Sequence, residues 1–323
     1  MSITDGPRHM TRTIELAAEI PPELAGRRLD AVLARMFPEY SRSRIQQWIE
    51  EGAVKVAGER PRARQKTCGG EAVHIRAALD DRSQDVPEDL PLDLIHEDDH
   101  LLVINKPAGL VVHPAAGHPQ GTLVNALLHH APELAHLPRA GIVHRLDKET
   151  SGLLVVARTL ASHTDLVRQL QARTVGREYL ALVQGSLVSG GTVEAPIGRH
   201  PVDRKCMAVV TGGREAITHY RVEERFAAHT LLRVNLETGR THQIRVHMAH
   251  LHHPLAGDPV YGGRLRLPAG LSDGAMATLR GFRRQALHAT RLSLEHPDGT
   301  GSRSWAAALP DDMEMLLQAL RAG

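Results

Sequence analysis

A chain of 323 residues, 42% hydrophobic and with a mean hydropathy of −0.25, is long enough for one large and one small domain and lacks a membrane-spanning apolar run. Its formal net charge of +2 conceals segregation: residues 24–76 carry eleven Lys/Arg against six acids, residues 77–99 carry nine acids against Arg82, and residues 100–323 hold an excess of +7. Two cysteines far apart, Cys68 and Cys206, offer neither a disulfide framework nor zinc spacing, and 3% aromatics argues against a surface of many stacked bases.

Residues 1–23, with a balance of −2, read as an N-terminal tail whose acids do not suit a signal peptide; a reducing cytoplasm is the expected compartment. Residues 24–79 read as a small basic domain. In RRLDAVLARMF, residues 27–37, Leu29, Val32, Leu33 and Met36 fall at helical spacing, and Ser41 can cap a second helix carrying Ile45, Trp48 and Ile49. Arg42 and Arg44 sit in that helix's first turn, where the macrodipole disfavours cations, so an external anion such as phosphate is expected there. Short strands and a basic loop, Arg60 to Lys66, follow. Residues 80–99, with clustered acids and two prolines, read as an acidic linker.

From residue 100 the pattern predicts a large mixed domain. HLLVINKPAGLVVHP reads as strand, turn, strand; TLVNALLHHAP as a short helix; and GIVHRLDKETSGLLVVAR, residues 141–158, again as strand, turn, strand. Ser162 and Asp165 can start a helix through Leu170, EYLALVQG returns as a strand, and LLRVNLETGRTHQIRVHMAHL reads as strand, turn, helix. ALHATRLSLEHP closes as a strand, and DDMEMLLQALRAG as a helix capped by Asp311 or Asp312. The elements mix without regular βαβ alternation, so the fold class is α+β.

Three kinds of chemistry compete. KPAGLVVHPAAGHPQGT matches no phosphate loop, and its Gly and Pro are better read as turn residues. His242, His247, His250, His252 and His253 invite a metal, but no cysteine and no acid nearer than Asp258 completes a ligand set; these histidines can equally touch phosphates or cap buried polar groups. Ser151 lacks a nucleophile elbow. That leaves Asp147. An Asp in a turn is usually structural, but this one has Arg145 two residues away and a cation-rich element, TGRTHQIR, available to pair with it. A nearby cation keeps a carboxylate ionised, fit to attack a sugar carbon or stabilise positive charge there. A glycosidase needs two carboxylates; the second here, Glu149, shares the turn and need not face the site.

HRLDKETSGLLVVAR resembles the signature of the RluA family of pseudouridine synthases. NKPAGLVVHP, REYLALVQG, LETGRTHQIRVHMAHLHHPLAGDPVYG, residues 199–220 and QALHATRLSLEHP agree with it. Residues 27–76 resemble the small RNA-binding domain of ribosomal protein S-four type that this family often carries; Ala57 departs from it, standing where that domain usually has Asn.

The resemblance implies a mainly antiparallel catalytic sheet over residues 100–323, behind a small α/β RNA-binding domain. It implies cofactor-independent isomerisation of uridines to pseudouridine in large-subunit (23S) ribosomal RNA, in support of large-subunit maturation, by a monomer without membrane or metal. The base leaves the ribose, turns and rejoins it through carbon 5, so no attacking water is wanted and one carboxylate can suffice. By resemblance Asp147 is that residue, Arg245 pairs with it, Tyr179 stacks on the flipped uracil, and Arg145 enters the RNA where the base leaves. Arg240 and His242 beside them, with Arg42 and Arg44, are the expected RNA contacts. Two rival readings are a non-catalytic ribosome-assembly factor using the same surface, and a metal-assisted RNA hydrolase using the histidines.

Overall fold

In the computed structural model, which describes residues 12–38, 40, 42–79, 86–114, 118–263 and 271–322, the chain divides into two units, 1–84 and 85–323. The first corrects the reading of residues 1–23 as a tail. Arg12–Glu19 forms β1, in which Ile14, Leu16 and Ala18 turn toward the core while Thr13, Glu15 and Ala17 face outward. That is the period-two pattern of a half-buried strand, partly hidden in sequence by its acids and alanines. Helices α1 (Leu29–Met36) and α2 (Arg42–Glu51) follow, then β2 (Val54–Val56) and β3 (Ala72–Leu79). The sheet runs β1-β3-β2, all antiparallel. Leu29, Leu33, Ile45 and Trp48 from the helices bury against Val54, Val73 and Ile75, the apolar faces that helical spacing predicted. Ala57 has a φ of +49°, in the left-handed region that Asn, with a side chain able to bond the nearby backbone, adopts more readily than Ala. Ser41, the expected cap of α2, lies outside the described residues.

The second unit begins inside the expected linker. Glu88 N–H donates to Asn125 O, Asn125 Nδ2 donates to Val86 O, and Leu94–Glu97 is β4. Then come β5 (Leu101–Lys106), α3 (Leu123–His130), β6 (Ser151–Ala157), α4 (Leu160–Gln171), β7 (Gly176–Gln184) and β8 (Gly191–Glu194). The chain continues through β9 (Ile197–Arg199), β10 (Met207–Val209), β11 (Ile217–Arg225), β12 (His229–Leu236) and α5 (Gln243–His250). It ends with α6 (Asp273–Gly281), β13 (Leu287–Glu295), β14 (Ser302–Ala306) and α7 (Asp311–Arg321).

Nine strands form one sheet in the order β4-β5-β6-β13-β7-β12-β11-β8, with β14 on β13; only β6 and β13 pair in parallel. The α+β class with a mainly antiparallel sheet is therefore as expected. Both faces are covered. Leu102, Ile104, Leu154, Val156, Ala181 and Val183 pack on the side of α3 and α5, while Leu101, Val103, Leu153, Val155 and Leu182 face α4, α6 and α7. This double burial explains the continuous apolar runs of β5 and β6.

Several predicted elements differ. The segments after the KPAG turn and before the HRLDKE turn are not strands: Val111 and Ile142 each make one isolated bridge, to Thr122 and Val156. Helix α4 starts earlier, capped by the Thr159 hydroxyl, which accepts from Ser162 N–H. Helix α7 takes Pro310 as its N-cap; the Asp312 carboxylate accepts instead from Arg284 Nε and Nη2, at 2.6 and 2.7 Å.

Gly152, at the start of β6, has a φ of +111°, and a β-carbon there would stand 2.3 Å from Ala289 O and 2.5 Å from Ala289 N on the parallel partner. Neither backbone atom can move without breaking the pairing. Gly152→Ala should therefore destabilise this unit by roughly 2–4 kcal/mol, read as a lower urea midpoint; an unchanged midpoint would show that the strand register gives way freely.

Candidate active site

The segment from His144 to Thr150 leaves the sheet before β6 and returns as a turn closed by Thr150 N–H on Asp147 O, at 3.0 Å. Its backbone is held from two sides. The buried Lys106 ammonium, at the end of β5, donates to Pro107 O, Leu110 O and Lys148 O at 2.7–3.0 Å. Arg284 Nη1 donates to Glu149 O, and Gln285 Nε2 to the Thr150 hydroxyl. Burial pushes the Lys106 pKa down to about 8, against the opposing pull of Glu149 and Asp147. His144 is held as a neutral acceptor for Val155 N–H, its pKa lowered to about 3, first by burial and then by Arg177.

The cation facing Asp147 comes from α5. The chain enters that helix through His242 in a left-handed conformation, φ 57° and ψ 22°. Gln243 then secures the preceding loop: its Oε1 accepts from Arg240 N–H and the Thr238 hydroxyl, and its Nε2 donates to Ile217 O. Within the first turn of the helix, Arg245 is 5% exposed and spreads its guanidinium between two carboxylates. Nε and Nη2 donate to Asp258 at 2.7 and 2.9 Å, and Nη1 donates to Asp147 Oδ2 at 3.0 Å. Burial lowers the Arg245 pKa, but the hydrogen bonds and charges of Asp258 and then Asp147 outweigh it and hold the guanidinium firmly charged. For the fully buried Asp258 carboxyl, burial raises the pKa and the bonds from Arg245 overcome it, leaving it below the usual range. His242 Nε2 lies 3.8 Å from Asp147 Oδ1, and its Nδ1 contacts the Tyr261 hydroxyl at 2.8 Å. The His242 pKa is lowered, chiefly by burial.

Asp147, Arg245, Tyr179, Arg145, Arg240 and His242 all line one cleft of about 820 Å³. Tyr179 stands on β7 between Ala289 of β13 and Val234 of β12, so the middle of the sheet fixes it. Burial raises its phenol pKa, with Arg177 opposing and Asp147 adding, so the ring stays neutral and apolar. Seven arginines line the cleft against two acids, Asp147 and Glu237. Glu237 is taken by His219 at 2.6 Å and Arg173 at 3.3 Å, which leaves Asp147 as the carboxylate open to a ligand. Among the described residues no carboxylate lies within ion-pair distance of Arg139, Arg145, Arg214 or Arg240. The Arg240 pKa is lowered by burial first and then by Arg214 and Arg173, as expected where cations crowd together.

Arg42 and Arg44 belong to the other unit. Arg42 Nη2 donates to both oxygens of Asp30 at 2.9 Å, and Arg28 and Gln46 donate to the same carboxylate. Arg42, at the start of α2, thus has an internal carboxylate as partner, though about half of its side chain stays exposed. Among the described residues the histidines of this stretch are not gathered about one point. Buried His247 bonds the Thr218 hydroxyl and Ala195 O, and His253 Nδ1 sits against Gln184 O. Asp258, Lys106 and Gln243 escaped the sequence reading. Only the position of Asp258 in the GDPVYG stretch hinted at a role, because pairing across 13 residues leaves no local pattern.

Comparison with known proteins agrees with this geometry. The RNA pseudouridylate synthase family model matches residues 100–250 and the S4 domain model residues 27–70. Ribosomal large subunit pseudouridine synthase D from Xanthomonas campestris is 58% identical over 304 residues, covering 94% of this chain and 92% of that protein. The protein of the same name from Escherichia coli K12 is 52% identical over 314 residues, covering 97% and 96%. The solved structure of human RNA pseudouridylate synthase domain containing 4 superposes with a TM-score of 0.56 at 28% identity, over 71% of this chain and 93% of that one. A cleft carboxylate paired with a buried arginine, a neutral tyrosine on the central sheet and this extent of identity place the chain in the RluA-type RNA pseudouridylate synthase family, with an N-terminal S4 domain.

Proposed function

We propose that this chain isomerises specific uridines of large-subunit ribosomal RNA to pseudouridine, with Asp147 as the essential group and no cofactor. The observation that carries the reading is the pairing of Asp147 with Arg245 in a cleft where the other carboxylate, Glu237, is already engaged. Hydrolysis of a glycosidic bond calls for a second carboxylate to activate water. Isomerisation calls for one, because the released base is itself the incoming partner. The C1′–N1 bond breaks, a C1′–C5 bond forms, and the proton on C5 is lost to solvent as N1 gains one, so atoms balance without a co-reactant.

The remaining roles follow from placement. Tyr179 offers an apolar face for the extruded uracil, and Arg145, exposed at the mouth, takes the space the base leaves in the RNA. Arg240, His242 and the other arginines of the rim bind phosphates. In the small unit Arg44 and the Arg60–Lys66 loop add sequence-independent attraction, with Arg42 contributing the half of its side chain that Asp30 leaves exposed. The protein acts as a monomer in the cytoplasm; among the described residues no helix is long and apolar enough to cross a membrane.

Asp147→Asn should abolish pseudouridine formation, mapped by carbodiimide-dependent reverse-transcription stops on ribosomal RNA, while fold and RNA affinity stay near wild type. Residual product from that variant would remove Asp147 from its role.

Arg245→Met should lose activity and also cost about 3–5 kcal/mol of stability in urea, because it strands the buried Asp258 charge. Arg245→Met Asp258→Leu should recover much of the stability but none of the activity. Recovery of both would show that the cation serves only the fold.

A chain beginning at Val86 keeps the Val86–Asn125 and Glu88–Asn125 contacts and every cleft residue. It should still isomerise uridine at saturating RNA, with weaker apparent affinity and a shallower salt slope. A folded but inert truncated protein would show that the small unit helps to build the site.

A further inference from the structure

Away from the cleft, and sharing no residue with it, two imidazoles and a carboxylate converge at the end of the sheet. His96 Nε2 lies 2.8 Å and His296 Nε2 lies 2.9 Å from the same oxygen, Asp98 Oδ2, and the three donor atoms fall within 4.8 Å of one another. His96 is on β4, Asp98 in the turn to β5, and His296 in the turn between β13 and β14, so the group joins the edge hairpin to the middle of the sheet.

Each partner is oriented by something else. The second oxygen of Asp98 accepts from the backbone N–H of His100 and Leu101, at 2.7 and 2.9 Å. His296, 4% exposed, sets its other nitrogen, Nδ1, 2.7 Å from Asp298 Oδ1. The Asp298 backbone N–H also approaches that nitrogen, but at 3.4 Å, so the shorter carboxylate contact decides that Nδ1 carries the hydrogen. Asp98 Oδ2 is therefore met by ring nitrogens from two sides, one of them on a histidine whose far nitrogen a second carboxylate holds. A carboxylate on the far nitrogen of a ligating histidine is the usual support of a metal site.

We propose that His96, Asp98 and His296 bind one divalent transition-metal ion, with zinc the best match, as a structural clip between the β4–β5 turn and the β13–β14 turn. Two imidazole nitrogens and one carboxylate oxygen are a zinc donor set, and water reaches the fourth position because His96 and Asp98 are 36% and 29% exposed. Tetrahedral zinc needs donors roughly 3.3 Å apart, given ligand bonds of about 2.0–2.1 Å. The two N–O contacts have to open by about half an ångström, and the two Nε2 atoms, now within 4.8 Å of each other, have to take up the same spacing by side-chain rotation. Protons on the two Nε2 atoms leave as the ion enters, and the carboxylate supplies the negative charge.

The test is calorimetric titration of the full chain, stripped with chelator and free of any affinity tag, with zinc chloride alone. One saturable site per chain is expected, together with a rise in melting temperature that chelator reverses. Cobalt should give the visible absorption of a low-coordinate site. His96→Ala should weaken binding at least tenfold, and Asp298→Asn, which leaves all three ligands in place, about tenfold. His96 is part-exposed, so its removal spares the core, and pseudouridine formation by His96→Ala should match wild type. An absence of saturable binding, or a site that His96→Ala and Asp298→Asn leave unchanged, overturns the proposal; the second outcome would assign the ion to other histidines. Neither result bears on Asp147.

Discussion

The arrangement depends on one buried guanidinium. A guanidinium at 5% exposure would be strongly destabilising without a matching carboxylate, and Asp258, wholly enclosed, supplies it through two hydrogen bonds. Asp258 in turn is fixed by the backbone N–H groups of Val260 and Tyr261, at 2.9 and 3.0 Å. The third arm of the fork, Nη1, is thereby aimed without freedom to swing, and Asp147 sits at its end. The geometry separates two jobs that a single ion pair would have to combine. Asp258 satisfies the cation's need for charge, so Arg245 would keep a partner even if its contact with Asp147 were broken.

The sheet converts this local pairing into a site. Tyr179 is locked between two strands of the long sheet, α5 enters from β12, and the Asp147 turn is pinned to the ends of β5 and β13 by Lys106 and by Arg284 with Gln285. Three segments far apart in sequence thus meet above the central strands. Lys106 is a costly way to anchor a turn, since burial drives its pKa to about 8. A charged donor bonded to three carbonyls holds the loop more firmly than water could.

How much of this could be read in the sequence follows from how local each interaction is. Helices α1, α2, α3 and α7 and strands β5, β6, β7, β12 and β13 were legible because their periodicity or apolar runs are contained within ten or so residues. Strand β1 was missed because alanines and glutamates mute its alternation. The segments at Val111 and Ile142 were over-read because an apolar dipeptide resembles a strand until its partner is known. The pairing of Asp147 with Arg245 was legible through the resemblance of their motifs. Asp258 was not, since a carboxylate paired across a turn looks like any turn residue. The internal partner of Arg42 was hidden for a related reason: Asp30, which answers it, is 12 residues earlier and on another helix.

Charge placement divides the binding task by depth. At the bottom of the cleft the Asp258–Arg245–Asp147 chain is shielded from solvent, so added salt has little purchase on it. At the rim Arg139, Arg145 and Arg214 are exposed and unmatched by carboxylates among the described residues, so their attraction for a polyanion is the part that ions screen. Mutual repulsion between such cations is tolerable in the free protein only because water solvates them. Any polyanion laid across the rim would replace that water and relieve the repulsion at once. The Asp258–Arg245–Asp147 chain at the base, by contrast, is already charge-paired and does not call for one.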